Sequence, residues 1–128
     1  MSAKLIAARN DVNDSYGDLM RGVSASLRTL RRDQPDVMAG FDKMADAALR
    51  DGELSKLTKE YIALAVGVAA RCDPCIAFHM KALVRLGATR AAIEEALGVA
   101  VYMGGGPSLM YAASALAAYD ELATPVAA

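Results

Sequence analysis

Residues 71–80 read RCDPCIAFHM, a stretch that holds both cysteines of the chain and its single histidine. Pro74 disfavours the α conformation at Asp73 and is itself suited to the first turn of a helix. We therefore predict that one helix ends near Cys72 and that the next begins at once, with Asp73 as its N-cap. This break divides a long apolar segment into two helices that can fold back on each other.

Apolar residues spaced three and four apart predict helices on both sides of the break. In chain order we expect a helix over Asp11–Arg32, one from Pro35 to Arg50–Gly52, one capped by Ser55, one ending at Gly87, one from Thr89 to Gly104–Gly106, and one from Pro107. The third is apolar around most of its surface, as a buried central helix would be. No stretch shows the period-two alternation of a strand, so the fold class should be all-α. The length suits a single domain of about six helices over residues 1–128.

The composition excludes several classes of partner. The net charge of −1 provides no field that would attract nucleic acid or an anionic membrane. The longest strongly apolar run, residues 61–70, is far too short to span a bilayer, and residues 1–15 lack the apolar core of a signal peptide. We therefore expect a cytoplasmic protein. A hydrophobic content of 55% with 23% charged residues predicts exposed apolar surface and hence self-association.

Three explanations compete for the cysteine pair. A Cys72–Cys75 bridge as a structural staple would close a very small loop and stabilise the fold little, and thiols stay reduced in the cytosol. A zinc site could use Cys72, Cys75 and His79, but it would need Glu60, Asp73 or a neighbouring subunit as the fourth ligand. A reactive dithiol needs no further ligand. Backbone N–H groups at a helix start favour the thiolate, and a second nearby thiol can resolve an oxidised first one.

His79 and Glu60 complete the dithiol interpretation. His79 follows Cys75 by four residues, so the two side chains share a helix face and the imidazole can act as a base. Glu60, twelve residues before Cys72, could hold that imidazole through its carboxylate. Distances counted from the break oppose this contact, because Glu60 then lies about 18 Å away and His79 about 9 Å away. Helices crossing steeply, a bridging water or a carboxylate from elsewhere are the alternatives.

These four residues resemble the E-x11-C-x-x-C-x-x-x-H signature of AhpD-like alkylhydroperoxidases in the carboxymuconolactone decarboxylase family, and the likeness extends over residues 54–121. The resemblance implies an AhpD-like helical subunit of a trimer or hexamer that reduces hydroperoxides without a cofactor or metal ion. It implies that peroxide attacks Cys75, that Cys72 resolves the product, and that Glu60 and His79 relay the proton. A lipoyl or thioredoxin-like dithiol would recycle the pair.

One position departs from the family pattern: Pro74 stands where the best-known members carry a second histidine, which implies a shorter relay. The rival interpretations are a non-enzymatic zinc-binding or redox-sensing module that uses Cys72, Cys75 and His79, and an oligomeric scaffold whose cysteines have lost their role.

Overall fold

The computed structural model describes residues 15–124, and these form six α-helices with no strand among them. The helices are α1 (Tyr16–Asp33), α2 (Pro35–Leu49), α3 (Lys56–Ala69), α4 (Asp73–Arg85), α5 (Arg90–Gly104) and α6 (Gly106–Ala123). The all-α prediction is confirmed. The first helix was predicted to start at residues 11–14, which lie outside the described residues. In the described part of the chain, α1 begins at Tyr16, directly after its cap Ser15.

Side-chain caps set the starts of three helices. Ser15, Ser55 and Thr89 each have extended backbone and accept a hydrogen bond from the N–H three residues further on. Such a bond satisfies one of the amides that the first helical turn leaves without a partner. The predicted caps Ser55 and Thr89 are therefore confirmed.

The prediction of Asp73 as the N-cap of α4 is wrong by one residue. Cys72 is the cap: its backbone is extended, and its Sγ accepts the Cys75 N–H at 3.2 Å. Asp73 is the first helical residue, and Pro74 occupies the second position, where a missing N–H costs nothing. A carboxylate in the first turn is also favoured by the helix dipole, so Asp73 is well placed inside the helix.

Helix α3 lies at the centre of the packing. It contacts α2, α4, α5 and α6, as predicted for a central helix. It is not buried all round, because the face that carries Ile62 and Val66 is exposed. The core consists of Leu64, Val68, Ile76, Met80, Leu83, Ala88, Ile93, Leu97, Ala100, Ala112, Ala115 and Ala118. The contribution of α6 is entirely alanine, and small side chains let this helix approach its neighbours closely.

The hairpin of α1 and α2 lies outside this core. Helix α1 packs on α4 and α6, while α2 packs on α1 and touches α3. Each of the two helices has a single buried residue, Met20 in α1 and Met38 in α2. Among the described helices, none is long and apolar enough to cross a membrane.

The link between α3 and α4 is a Schellman turn with an unusual residue in it. The Arg71 N–H bonds to the Val68 carbonyl and the Cys72 N–H to the Gly67 carbonyl, so Arg71 takes the left-handed position with φ of 58°. The same turn ends α4, but there Gly87 occupies the left-handed position. An arginine at this position carries a steric cost that glycine avoids.

We predict that Arg71→Gly raises the free energy of unfolding by about 1 kcal/mol, because it relieves this steric cost. Gly87→Ala places a Cβ in the same backbone conformation and should lower the free energy by about 1 kcal/mol. Urea denaturation of the oxidised proteins measures both values. A loss of stability in Arg71→Gly would contradict the strain at this residue.

Candidate active site

Helices α3 and α4 are in close contact where Gly67 faces the second cysteine. A Cβ built on Gly67 would lie 3.3 Å from the Cβ of Cys75 and 3.7 Å from the backbone nitrogen of Ile76. The first distance is tighter than an ordinary carbon–carbon contact. The absent side chain therefore allows the start of α4 to lie directly on α3.

This approach brings Glu60 and His79 together. The His79 Nδ1 lies 2.6 Å from the Glu60 Oε2. Glu60 precedes Gly67 by seven residues and His79 follows Cys75 by four, so the two lie about 10 Å and about 6 Å along their helices from the contact. Their long side chains span the difference. Distances counted from residue 73 were misleading, because Gly67 and Cys75 face each other across Arg71 and the chain therefore folds back two residues earlier.

Glu60 is an ionisable group in the protein interior. Its side chain is 3% exposed, and its second oxygen, Oε1, lies 3.7 Å from the Lys56 Nζ. His79 is 29% exposed, and Lys56 is 43% exposed. A buried carboxylate is tolerated when partners compensate its charge and hydrogen bonds satisfy its oxygens. Sequence reasoning missed Lys56, although its place four residues before Glu60 on one helix was a visible signal.

The contact with Glu60 decides which ring nitrogen of His79 can act as a base. When Glu60 is ionised its oxygens only accept hydrogen bonds, so the donor in this contact is then the Nδ1–H of His79. The neutral imidazole then carries its lone pair on Nε2. Such a carboxylate–imidazole pair orients the ring and strengthens it as a proton acceptor.

The two cysteines form a disulfide, with their Cα atoms 5.2 Å apart. Both residues are partly buried, and the Cys72 Sγ also accepts the Cys75 N–H at the start of α4. The bridge joins neighbouring residues of one helix start and ties no distant segments together. The thiols are thus close enough to interconvert with a disulfide, as the dithiol interpretation requires.

The start of α1 is hydrogen-bonded to α6. The Tyr16 hydroxyl bonds to the Ser114 hydroxyl and, at 2.9 Å, to the Ser114 carbonyl, while Glu121 accepts the Tyr16 N–H at 2.8 Å. Burial raises the pKa of Tyr16 above its ordinary value; the bond to Ser114 opposes this shift, and the charges of Asp73 and Glu121 add to it. Helix α1 also packs against α4, whose first residue is Asp73. No sequence pattern indicated this neighbour.

The zinc interpretation required a cluster of ligands. In the described part of the chain, no group of three or more His, Cys, Asp and Glu side chains is arranged to hold a metal ion.

We predict that Gly67→Ala lowers the free energy of unfolding by about 1 kcal/mol, because overpacking against Cys75 outweighs the higher helix propensity of alanine. Gly98→Ala is the matched control: Gly98 is also helical, but a Cβ there meets no atom within 4 Å. The free energy of unfolding of Gly98→Ala should rise by up to about 1 kcal/mol. Equal gains for both variants in urea denaturation would contradict the close contact.

Known proteins resemble this chain in sequence over most of its length. Residues 35–118 match the carboxymuconolactone decarboxylase family, a range that includes all four predicted site residues. An uncharacterized protein of Cupriavidus necator is 40% identical over 100 residues, covering 78% of this chain and 88% of the relative. A Paracoccus denitrificans protein described as uncharacterized protein 4 in the cox locus is 37% identical over 103 residues, covering 80% of this chain and 93% of the relative.

Two crystal structures have the same fold. One is the apo form of a carboxymuconolactone decarboxylase family protein from Legionella pneumophila, with a TM-score of 0.84 and 49% identity over 85% of this chain and 97% of the other. The second is a protein from Thermotoga maritima, with a TM-score of 0.71 and 29% identity over 84% of this chain and 91% of the other.

Proposed function

This chain belongs to the carboxymuconolactone decarboxylase family, and from that premise we propose that it is a cysteine-dependent antioxidant enzyme that reduces hydroperoxides or disulfides. The observation that carries the proposal is the 2.6 Å contact between His79 and the buried Glu60, one helical turn from Cys75. A base held by a carboxylate beside a thiol is the arrangement that activates a nucleophilic cysteine. The family includes enzymes, and this pairing supports the peroxidase branch.

The proposed cycle oxidises both thiols to a disulfide. The Cys75 thiolate attacks the hydroperoxide, the O–O bond breaks, the alcohol leaves with one proton, and Cys75 becomes a sulfenic acid. The Cys72 sulfur then attacks the sulfenic sulfur, which releases water and forms the disulfide. Two thiols thereby reduce one hydroperoxide to an alcohol and water. With a disulfide substrate, thiol–disulfide exchange replaces the first step.

His79 and Glu60 serve as the proton relay in this cycle. The Nε2 of His79 removes the Cys75 proton and returns it to the oxygen that leaves the peroxide. Glu60 keeps the ring oriented and stabilises the imidazolium that forms between the two steps.

Recycling requires an external dithiol of the lipoyl or thioredoxin-like class, which gives up two electrons and becomes a disulfide. Its first thiolate attacks the Cys75 sulfur and expels Cys72 as a thiolate, and its second thiolate then attacks the first partner sulfur and releases Cys75. The hydrogen bond from the Cys75 N–H to the Cys72 sulfur supports this direction, because a stabilised thiolate leaves faster.

We also propose that the working form is a homo-oligomer, a trimer or a hexamer, in the cytoplasm. Large apolar side chains are exposed on several helices, and a second copy of the chain could bury them. They include Val37, Phe41 and Met44 on α2, Val99, Tyr102 and Met103 on α5, and Leu109 and Met110 on α6.

The central prediction concerns the thiols. One equivalent of an organic hydroperoxide should remove two thiols from the fully reduced protein promptly, because one sulfur is oxidised and the other resolves it. In Cys72→Ser a dimedone-type reagent should trap a sulfenic acid on Cys75, whereas Cys75→Ser should form none. Free thiols are counted by a chromogenic disulfide, and the sulfenic adduct is located by mass spectrometry.

Metal analysis of the same preparation provides the control. The proposal is refuted if the thiols react with neither hydroperoxides nor disulfides. One zinc ion per chain in such a protein would favour the zinc-binding module. Inert thiols without zinc would favour the oligomeric scaffold.

A second prediction concerns the relay. Glu60→Gln should slow thiol oxidation at neutral pH by about 100-fold, because the neutral amide cannot stabilise the imidazolium of His79. Glu95→Gln is the matched control: Glu95 is exposed on α5, and its rate should equal that of the wild type. Rates follow from stopped-flow thiol consumption. An unchanged rate in Glu60→Gln would remove the carboxylate from the mechanism.

A further inference from the structure

The Glu60 carboxylate lies between the His79 ring and the Lys56 ammonium. One oxygen faces the His79 ring at 2.6 Å, and the other faces the Lys56 ammonium at 3.7 Å. We propose that Lys56 is a positioning residue that keeps Glu60 ionised in the interior and thereby fixes the proton of neutral His79 on Nδ1. The effect of Lys56 on the reaction rests on the proposed function. Its effect on the protonation of Glu60 and His79 can be tested without any enzymatic activity.

The need for a second partner follows from burial. A carboxylate with 3% of its side chain exposed has lost nearly all its hydration, and an isolated charge there would take up a proton. Neutral His79 offers one hydrogen bond and no positive charge. When His79 is neutral, the ammonium of Lys56 is the positive charge that compensates the Glu60 carboxylate.

The surroundings offer no substitute for this lysine. Helices α2, α4, α5 and α6 all pack against α3, yet within residues 15–124 the ion pairs of Glu60 are those with Lys56 and His79 alone. Lys59, one turn from Lys56, donates instead to the Arg50 carbonyl at 2.6 Å.

Protonation of Glu60 would reverse the hydrogen bond. A neutral carboxyl donates its O–H to Nδ1, so the imidazole proton must move to Nε2. His79 would then lack a basic nitrogen that could take the thiol proton. The charge on Lys56 therefore favours the form in which His79 can serve as a base, although the lysine itself acts only through Glu60.

The test is an NMR titration of the oxidised protein, in which the disulfide removes the thiols from the titration. His79 is the single histidine of the chain, so ¹⁵N-labelled protein gives one imidazole signal, and two-bond ¹H–¹⁵N correlations show which ring nitrogen is protonated. In Lys56→Met the midpoint of the His79 signal change should lie about one pH unit higher than in the wild type, about tenfold in proton affinity, because the substitution removes a positive charge beside Glu60.

Two further variants control for charge and for structure. Lys56→Arg keeps the charge and should restore the wild-type titration. Lys81→Met removes a lysine exposed on α4 and should leave the titration unchanged. If the pair titrates in Lys56→Met as in the wild type, or if Lys81→Met shifts it equally, the role of Lys56 is refuted.

Kinetics separate this inference from the proposed function. If both hold, the acidic limb of the pH–rate profile for thiol oxidation moves upward in Lys56→Met by the same amount as the NMR titration, and the rate at high pH is retained. A wild-type protein that consumes no peroxide would refute the proposed function, and the titration alone would then decide the role of Lys56.

Discussion

The contact between Gly67 and Cys75 is the constraint on which the site depends. It brings the start of α4 directly onto the central helix, and the pairing of Glu60 with His79 follows from the distances of these two residues from that contact. A larger side chain at residue 67 would separate the helices at the point where the sulfurs lie. The same packing buries Glu60 and keeps the cysteine pair partly accessible. Stability and chemistry therefore depend on the same small interface.

Local signals in the sequence were sufficient for the helices. Pro74 and the caps Ser55 and Thr89 act within a few residues of themselves, so their effects could be predicted without knowledge of the tertiary fold. The predicted cap of α4 was wrong by one residue, because the sulfur of Cys72 accepts the hydrogen bond that Asp73 was expected to accept. Sulfur is a weak acceptor, and residue preferences for caps do not anticipate it.

The residues of the candidate site could be proposed from the sequence, but their arrangement could not. Spacing along one helix related Cys75 to His79, whereas the contact of His79 with Glu60 depends on where two helices meet. That point is set by a glycine whose role becomes visible only when its neighbour on α4 is known. Lys56 lay within reach of sequence reasoning, since it shares a helix face with Glu60. The link from Tyr16 to α6 joins opposite ends of the described chain, and no local rule could supply it.

Pro74 gives the cysteine loop a stiffness that affects the order of events in the proposed cycle. With its φ fixed by the ring, the short segment from Cys72 to Cys75 has little freedom to open after reduction. The resolving thiol then remains at a high effective concentration beside the oxidised sulfur. Closure within the chain competes with a second peroxide molecule, whose attack would carry the sulfenic acid on to the irreversible sulfinic state. In the proposed cycle, a rigid loop therefore favours disulfide closure over further oxidation of Cys75.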